Sequence, residues 1–329
     1  MNYITPAVAF IASFCVAFVL YKIFIPILRR VKLGQKILEI GPNWHKCKEG
    51  TPIMGGLFFI TATLLITLAL YAGGAFGSLS IFFPINLIFI ILNALIGFVD
   101  DYVKLFKKRN RGLRGRHKLV LQFIVTGAYL ATLKAFDLIS TSIDIPFADT
   151  SVDLGVFYYI IISLVIVYII NSANLTDGLD GLLGSVAFVI ASLFFIIGIQ
   201  ENLKDIYLVQ AALCGSLAAF LVFNFHPAKI FMGDTGSLFL GSMLVVCTMR
   251  TGTPLLMLLV GIIYVIEGIS DILQVAVYKL SGRKKRLFKM APIHHHFELC
   301  GMSEVAIVAI FLGVTVVFSA LAYYIYYSI

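Results

Sequence analysis

The stretch IFFPINLIFIILNALIGFV (81–99) carries no charge, and DDYVK (100–104) follows it at once. A run of about 18 or more apolar residues is long enough to cross a hydrocarbon core of about 30 Å as a helix. Two aspartates at its end are costly near a membrane and persist there mainly for function. Outward from this stretch the same pattern repeats. The chain is 60% hydrophobic with a mean hydropathy of +0.99, whereas soluble domains hold roughly 45–50% apolar residues. Ten apolar runs are counted, at 5–28, 52–71, 81–99, 119–136, 156–170, 182–199, 206–223, 237–249, 254–277 and 303–327. The fifth and eighth are short, so they are expected to borrow polar flanks or to lie inside the bundle. The expectation is an all-α, polytopic integral membrane protein forming a single domain over residues 1–329. Met1-Asn2-Tyr3 has no basic start and the first run is long, unlike a cleaved signal.

Basic residues orient the spans. With the connections numbered in order, 21 of the 25 lysines and arginines fall on odd ones, notably 29–48, 104–118 and 279–289. The even side holds Asp137, Asp144, Asp149, Asp153, Glu201 and Asp205 against Lys134, Lys204 and Arg250. Odd connections are therefore expected in the cytoplasm, with both termini outside. The net charge of +8 fits this bias and attraction to anionic lipid, or in part a polyanionic substrate. Nucleic acid is not expected, because the aromatics lie in apolar spans and not among the basic loops. The five cysteines are scattered, with no Cys-x-x-Cys pair, so no disulfide framework or zinc site is implied. No internal repeat is found, which weakens a transporter built from inverted halves.

Four polar clusters fall on the same expected face. Asp100 and Asp101 point about 100° apart on a helix and can serve two roles, and Lys104 lies one turn beyond Asp100, within pairing reach. As a mere helix end the placement is unfavourable, since acids there oppose the macrodipole. In NSANLTDGLDG (171–181), Asn171, Asn174, Asp177 and Asp180 recur every third residue, stringing them along one side of a helical or 3₁₀-like turn. A cap could explain one acid, not all four groups. In NFHPAKIFMGDTGS (224–237), Asp234 or Thr235 can cap a helix whose free N–H groups would suit a phosphate. A carboxylate among phosphate oxygens is a natural Mg²⁺ ligand. In PIHHHFE (292–298), three adjacent histidines invite a zinc reading, but adjacent side chains diverge and no partner set has ligand spacing. Hydrogen bonds to phosphate or proton movement fit better. KEGTPIMGG (48–56) opens the second run and offers a phosphate or nucleotide contact at Lys48. Glu267, Gly268, Asp271 and Gln274 mark a break or polar groove in the ninth run. The inventory suits phosphoryl transfer between a soluble phosphorylated substrate and a lipid.

These residues resemble the polyprenyl-phosphate N-acetylhexosamine-1-phosphate transferases. GTPIMGG at 50–56, DDYVK at 100–104, NSANLTDGLDGL at 171–182, FNFHPAKIFMGDTGS at 223–237 and MAPIHHHFE at 290–298 come in that superfamily's order. The last block resembles the branch that handles UDP-MurNAc-pentapeptide rather than relatives using UDP-N-acetylglucosamine. Ile53 stands where the branch usually has threonine, so a local hydroxyl contact is not carried over. The resemblance implies transfer of phospho-MurNAc-pentapeptide from UDP to undecaprenyl phosphate at the bacterial cell membrane, giving lipid I and UMP. It implies Mg²⁺ as cofactor with Asp234 as principal ligand, and Asp100, Asp101 and His294 in the reaction. Lys48, Thr51, Lys104, Lys118, Asn171, Asn174, Asp177, Asp180, Asn224, Phe231, Gly233, Ser237, Gln274, His295 and His296 would bind substrate. A homodimer is compatible with it.

Overall fold

The computed structural model describes residues 4–30, 50–78, 80–106, 112–145 and 150–328. Lys48 lies outside them. Each of the ten apolar runs falls on helix. They are α1 (Ile4–Arg30), α2 (Gly56–Ala72), α3 (Phe82–Phe106), α4 (Gly115–Ala135), α5 (Val156–Thr176), α6 (Leu182–Gln200), α7 (Lys204–Asn224), α8 (Gly233–Arg250), the pair α9 (Leu256–Val260) and α10 (Ile262–Leu280), and α12 (Glu304–Tyr326). Seven of these (α1, α3, α4, α5, α6, α7 and α12) are long and apolar enough to cross a membrane. At 17 residues, α2 spans about 26 Å, just short of the hydrocarbon thickness.

The fifth and eighth runs lengthen by taking in the polar residues beside them, Asn171–Thr176 for α5 and Gly233–Gly236 for α8. The reason is burial: α8 is the inner helix, with every residue from Thr235 to Met249 enclosed. Helices α2, α3, α5, α6 and α9 pack around it. Because lipid is as apolar as leucine, association here relies on close backbone approach through small residues. Gly236 of α8 meets Gly56 of α2, Gly241 meets the Ile170 backbone of α5, and Gly97 of α3 lies against the Asp234 backbone. Away from α8, Gly215 of α7 receives the Phe10 carbonyl of α1 so closely that a Cβ would overlap it. The buried hydroxyls of Thr63 in α2 and Ser216 in α7 meet at 2.8 Å.

Three features differ from the sequence reading. The ninth run breaks at Gly261 and not at Gly268, which instead lets α10 press onto Ser172 of α5. The fourth connection contains an antiparallel hairpin, β1 (Ser142–Ile145) with β2 (Thr150–Asp153), in register Ser142↔Asp153. The triple histidine sits on a separate short helix, α11 (Ile293–Leu299).

The α1–α7 contact gives a direct test. Gly215→Val is expected to lower the detergent-solubilised melting temperature and the folded yield. Gly127→Ala in α4, where a methyl meets nothing within 4 Å, should be neutral or slightly stabilising. Equal effects of the two variants would contradict the close packing.

Candidate active site

Gly97 brings the end of α3 against the start of α8, and this contact places Asp100 and Asp101 beside Asp234. Asp101 is 1% exposed. Its Oδ1 accepts the Asp234 N–H at 3.1 Å, and its Oδ2 accepts the Thr235 N–H at 2.9 Å and the Thr235 hydroxyl at 2.7 Å. The cap of α8 therefore comes from another helix. The expectation that Asp234 or Thr235 would cap it, leaving amides for a phosphate, is corrected by a stronger partner: a carboxylate on a helix N-terminus satisfies two orphan donors at once. Gly233, at φ +80°, makes the turn into α8, and a Cβ there would lie 2.7 Å from Asp101 Oδ2.

The other two acids are joined by a lysine. Lys104 Nζ lies 2.6 Å from Asp100 Oδ2 and 3.0 Å from Asp234 Oδ1. Lys118, from the first turn of α4, lies 2.7 Å from Asp234 Oδ2 and donates to Asn174 Oδ1 at 3.3 Å. Asn174 in turn donates to Ser237 Oγ at 2.7 Å. Asp100 Oδ1 accepts the Leu113 N–H at 2.7 Å, and Gly112 fits only because it lacks a Cβ. Asp177, in the turn after α5, is held well above the usual carboxylate range, first by burial and then by the charges of Asp234 and Asp101.

These side chains can hold a divalent cation. Carboxylate oxygens of Asp100, Asp101 and Asp234 lie within 4.8 Å of one another. Three carboxylates, with the raised Asp177 beside them, face two ammonium groups, a charge imbalance that a dication would relieve. Oxygen donors are the ligand type Mg²⁺ takes.

The remaining predicted residues divide by location. Asp180 turns away from this cluster: its Oδ2 accepts the Ala228 N–H at 3.0 Å and meets His226 Nδ1 at 3.1 Å, with Glu304 also near. Asn171 donates to Gln122 Oε1 at 2.7 Å, tying α5 to α4. Asn224 accepts the Gly181 N–H and donates to the Ile230 carbonyl, joining the seventh connection to the start of α6. Phe231 pairs through its backbone with Pro52 and Gly55, next to Thr51. Gln274 holds the backbone of Leu287 and Phe288 against α10. His295 and His296 are half-buried; His295 Nδ1 meets Glu298 Oε2 at 2.7 Å and His296 Nδ1 accepts the Lys289 N–H. His294, expected at the phosphates or sugar, is wholly enclosed between Glu267 and Gly178.

Comparisons with known proteins place the chain in a family. The profile of glycosyl transferase family 4 covers residues 83–252, which include DDYVK and the Asp234 motif. The chain is 43% identical over 316 residues to the phospho-N-acetylmuramoyl-pentapeptide-transferase of Thermoanaerobacter sp. (strain X514), covering 96% of this chain and 97% of that protein. It belongs to that transferase family. The Clostridium perfringens (strain 13 / Type A) relative of the same name is 44% identical over 96% of both chains. The Bacillus subtilis (strain 168) relative is 41% identical over 95% of both. Similarity over nearly the full length places all the clusters described above, from GTPIMGG to MAPIHHHFE, inside the shared region. Sequence reading gave little weight to Thr235, and none to Gly97, Gly112 and the Leu113 amide, which set the geometry around Asp100 and Asp101. Glycines in spans carry no chemical signal by themselves.

An acid held above its ordinary range weakens the fold as pH rises from its unfolded value toward its folded one. Asp177→Asn removes that cost, so its melting temperature at pH 7.5 should equal or exceed that of the unchanged protein. Its transfer activity should fall by about 10²-fold, the scale of losing one active-site polar group. A clear drop in melting temperature would contradict the electrostatic account.

Proposed function

We propose that the chain transfers phospho-MurNAc-pentapeptide from UDP-MurNAc-pentapeptide to undecaprenyl phosphate, giving lipid I and UMP, the first membrane step of peptidoglycan synthesis. The observation that carries this reading is the Asp100–Lys104–Asp234–Lys118 chain of contacts in a protein over 40% identical to named transferases along its length. Two lysines between acids offset phosphate charge, and the acids keep the lysines in place.

In this reading an oxygen of the lipid phosphate attacks the sugar-linked phosphorus of the UDP substrate. The bond from that phosphorus to the bridging oxygen breaks, and UMP leaves with the electron pair. A phosphate monoester has a second pKa near 6, so at neutral pH the lipid phosphate is already mostly dianionic. Direct attack therefore needs little help from a base, and Asp100, steadied by the Leu113 amide, orients the nucleophile and takes any residual proton. Lys104 and Lys118 stand against the diphosphate. Asn174 and Asp177 line the nucleotide side, with Lys48, Thr51, Asn224 and Phe231 expected around the uridine and His295 and His296 toward sugar or phosphate. Asp234, with Asp100, would hold Mg²⁺, which supplies charge neutralisation on the transferring group. Asp101 acts by fixing the start of α8.

The whole chain is read as one integral membrane domain crossing ten times, with its catalytic connections in the cytoplasm of a bacterial cell. That topology brings a soluble nucleotide and a lipid to the same site. Cys300, exposed after α11, should then react with an impermeant maleimide in inside-out vesicles and be protected in right-side-out ones; the reverse would invert the orientation.

The deciding assay is UMP release by purified protein given undecaprenyl phosphate, Mg²⁺ and either UDP-MurNAc-pentapeptide or UDP-GlcNAc. Release is expected with the muramoyl substrate alone, lost on chelation and reduced at least about 10³-fold in Asp234→Asn, the scale of several kcal/mol of metal-centred stabilisation. Release with UDP-GlcNAc would move the chain to the sister branch. No release with either would sink the transferase reading.

A further inference from the structure

Glu267 and His294 have no part in the transfer as set out above, yet both are 0% exposed. Glu267 lies in α10 and His294 in the first turn of α11, with Nδ1 3.0 Å from Oε1. Beyond this contact, none of their four polar atoms has a hydrogen-bond partner among the described residues. A buried ionisable pair so poorly satisfied is a costly arrangement and calls for a reason.

The surroundings supply one. The far edge of the His294 ring is seated on Gly178, where a Cβ would overlap Nε2 and Cε1. Gly178 directly follows Asp177 in the turn that ends α5. The support behind the pair is equally close. Gly268, next to Glu267, lets α10 approach Ser172 of α5, and the Tyr168 hydroxyl donates to the Val265 carbonyl at 2.6 Å. Three elements, the end of α5, α10 and α11, thus meet at one imidazole.

We propose that Glu267 and His294 are positioning residues for Asp177. The carboxylate holds the ring, the ring is the wedge on which the 177–178 turn closes, and the turn sets how Asp177 approaches Asp234 and Asp101. His294 then acts through the turn, and contact with phosphate is left to the half-buried His295 and His296. The activity consequence rests on the transferase reading; the effect on the turn does not.

Two readouts test this on the full-length protein in detergent. Glu267→Gln keeps the shape and one oxygen acceptor while removing the charge. It should speed hydrogen–deuterium exchange of the amides of 177–181 about tenfold, leaving α7 and α8 unchanged. It should lower kcat/KM for UMP release about 10- to 100-fold, the usual scale for residues that act through another group. Added to Asp177→Asn it should cost little more, because both changes act on the same carboxylate. Gly178→Ala, which pushes the ring off the turn while leaving both members of the pair chemically unchanged, should give the same local exchange and guards against a Glu267 variant that fails to fold. Unchanged exchange in the turn, or a full multiplicative loss on top of Asp177→Asn, would overturn the proposal. If the unaltered protein releases no UMP, the transferase reading falls, and the exchange measurement still decides the positioning role.

Discussion

The Asp101 carboxylate on the first amides of α8 is the contact on which the site depends. It satisfies donors that would otherwise be orphaned at the start of a buried helix, and the positive end of that helix stabilises its charge. Asp234 belongs to the first turn of α8 and Asp100 precedes Asp101 on α3, so this one cap fixes the distance between the two acids that Lys104 bridges. The close approach is possible only because Gly97 and Gly233 carry no side chain at the junction. A capping hydrogen bond thus sets the separation of Asp100 and Asp234.

Around it the electrostatics are arranged in tension. Asp100, Asp101, Asp177 and Asp234 crowd one end of the bundle, and Lys104 and Lys118 offset part of the charge there. Such a site is tolerable in isolation because the amides of Leu113, Asp234 and Thr235 share the load. A further positive charge would relieve what imbalance is left. The instability is local, and the apolar contacts of α1 with α7 and of α8 with its neighbours bear the fold elsewhere.

Much of this was legible from residue order. Apolar length alone located the helices, and the acid pair at 100–101, Lys104 one turn later and the Asp234 motif were visible as polar groups out of place. What could not be read was which donor serves which acceptor. The capping of α8 by a residue 133 positions earlier has no local signature, since Asp234 and Thr235 looked sufficient for the purpose. The period-three spacing of 171–180 suggested one polar face. Instead the left-handed Gly181 and the bonds from His226 and Ala228 turn Asp180 aside. Likewise Gly268 suggested a broken helix or a polar groove, whereas its missing side chain serves contact between α10 and α5.

The enclosure of α8 has a consequence for biogenesis. Its small and hydroxyl-bearing residues suit protein neighbours better than acyl chains, and its first turn carries an acid. Such a segment would partition poorly from the translocation channel into lipid on its own. Of the helices that surround it, α2, α3, α5 and α6 are all synthesised earlier, and only α9 follows. The socket can therefore exist before its occupant is made, and the order of the elements along the chain doubles as an order of assembly.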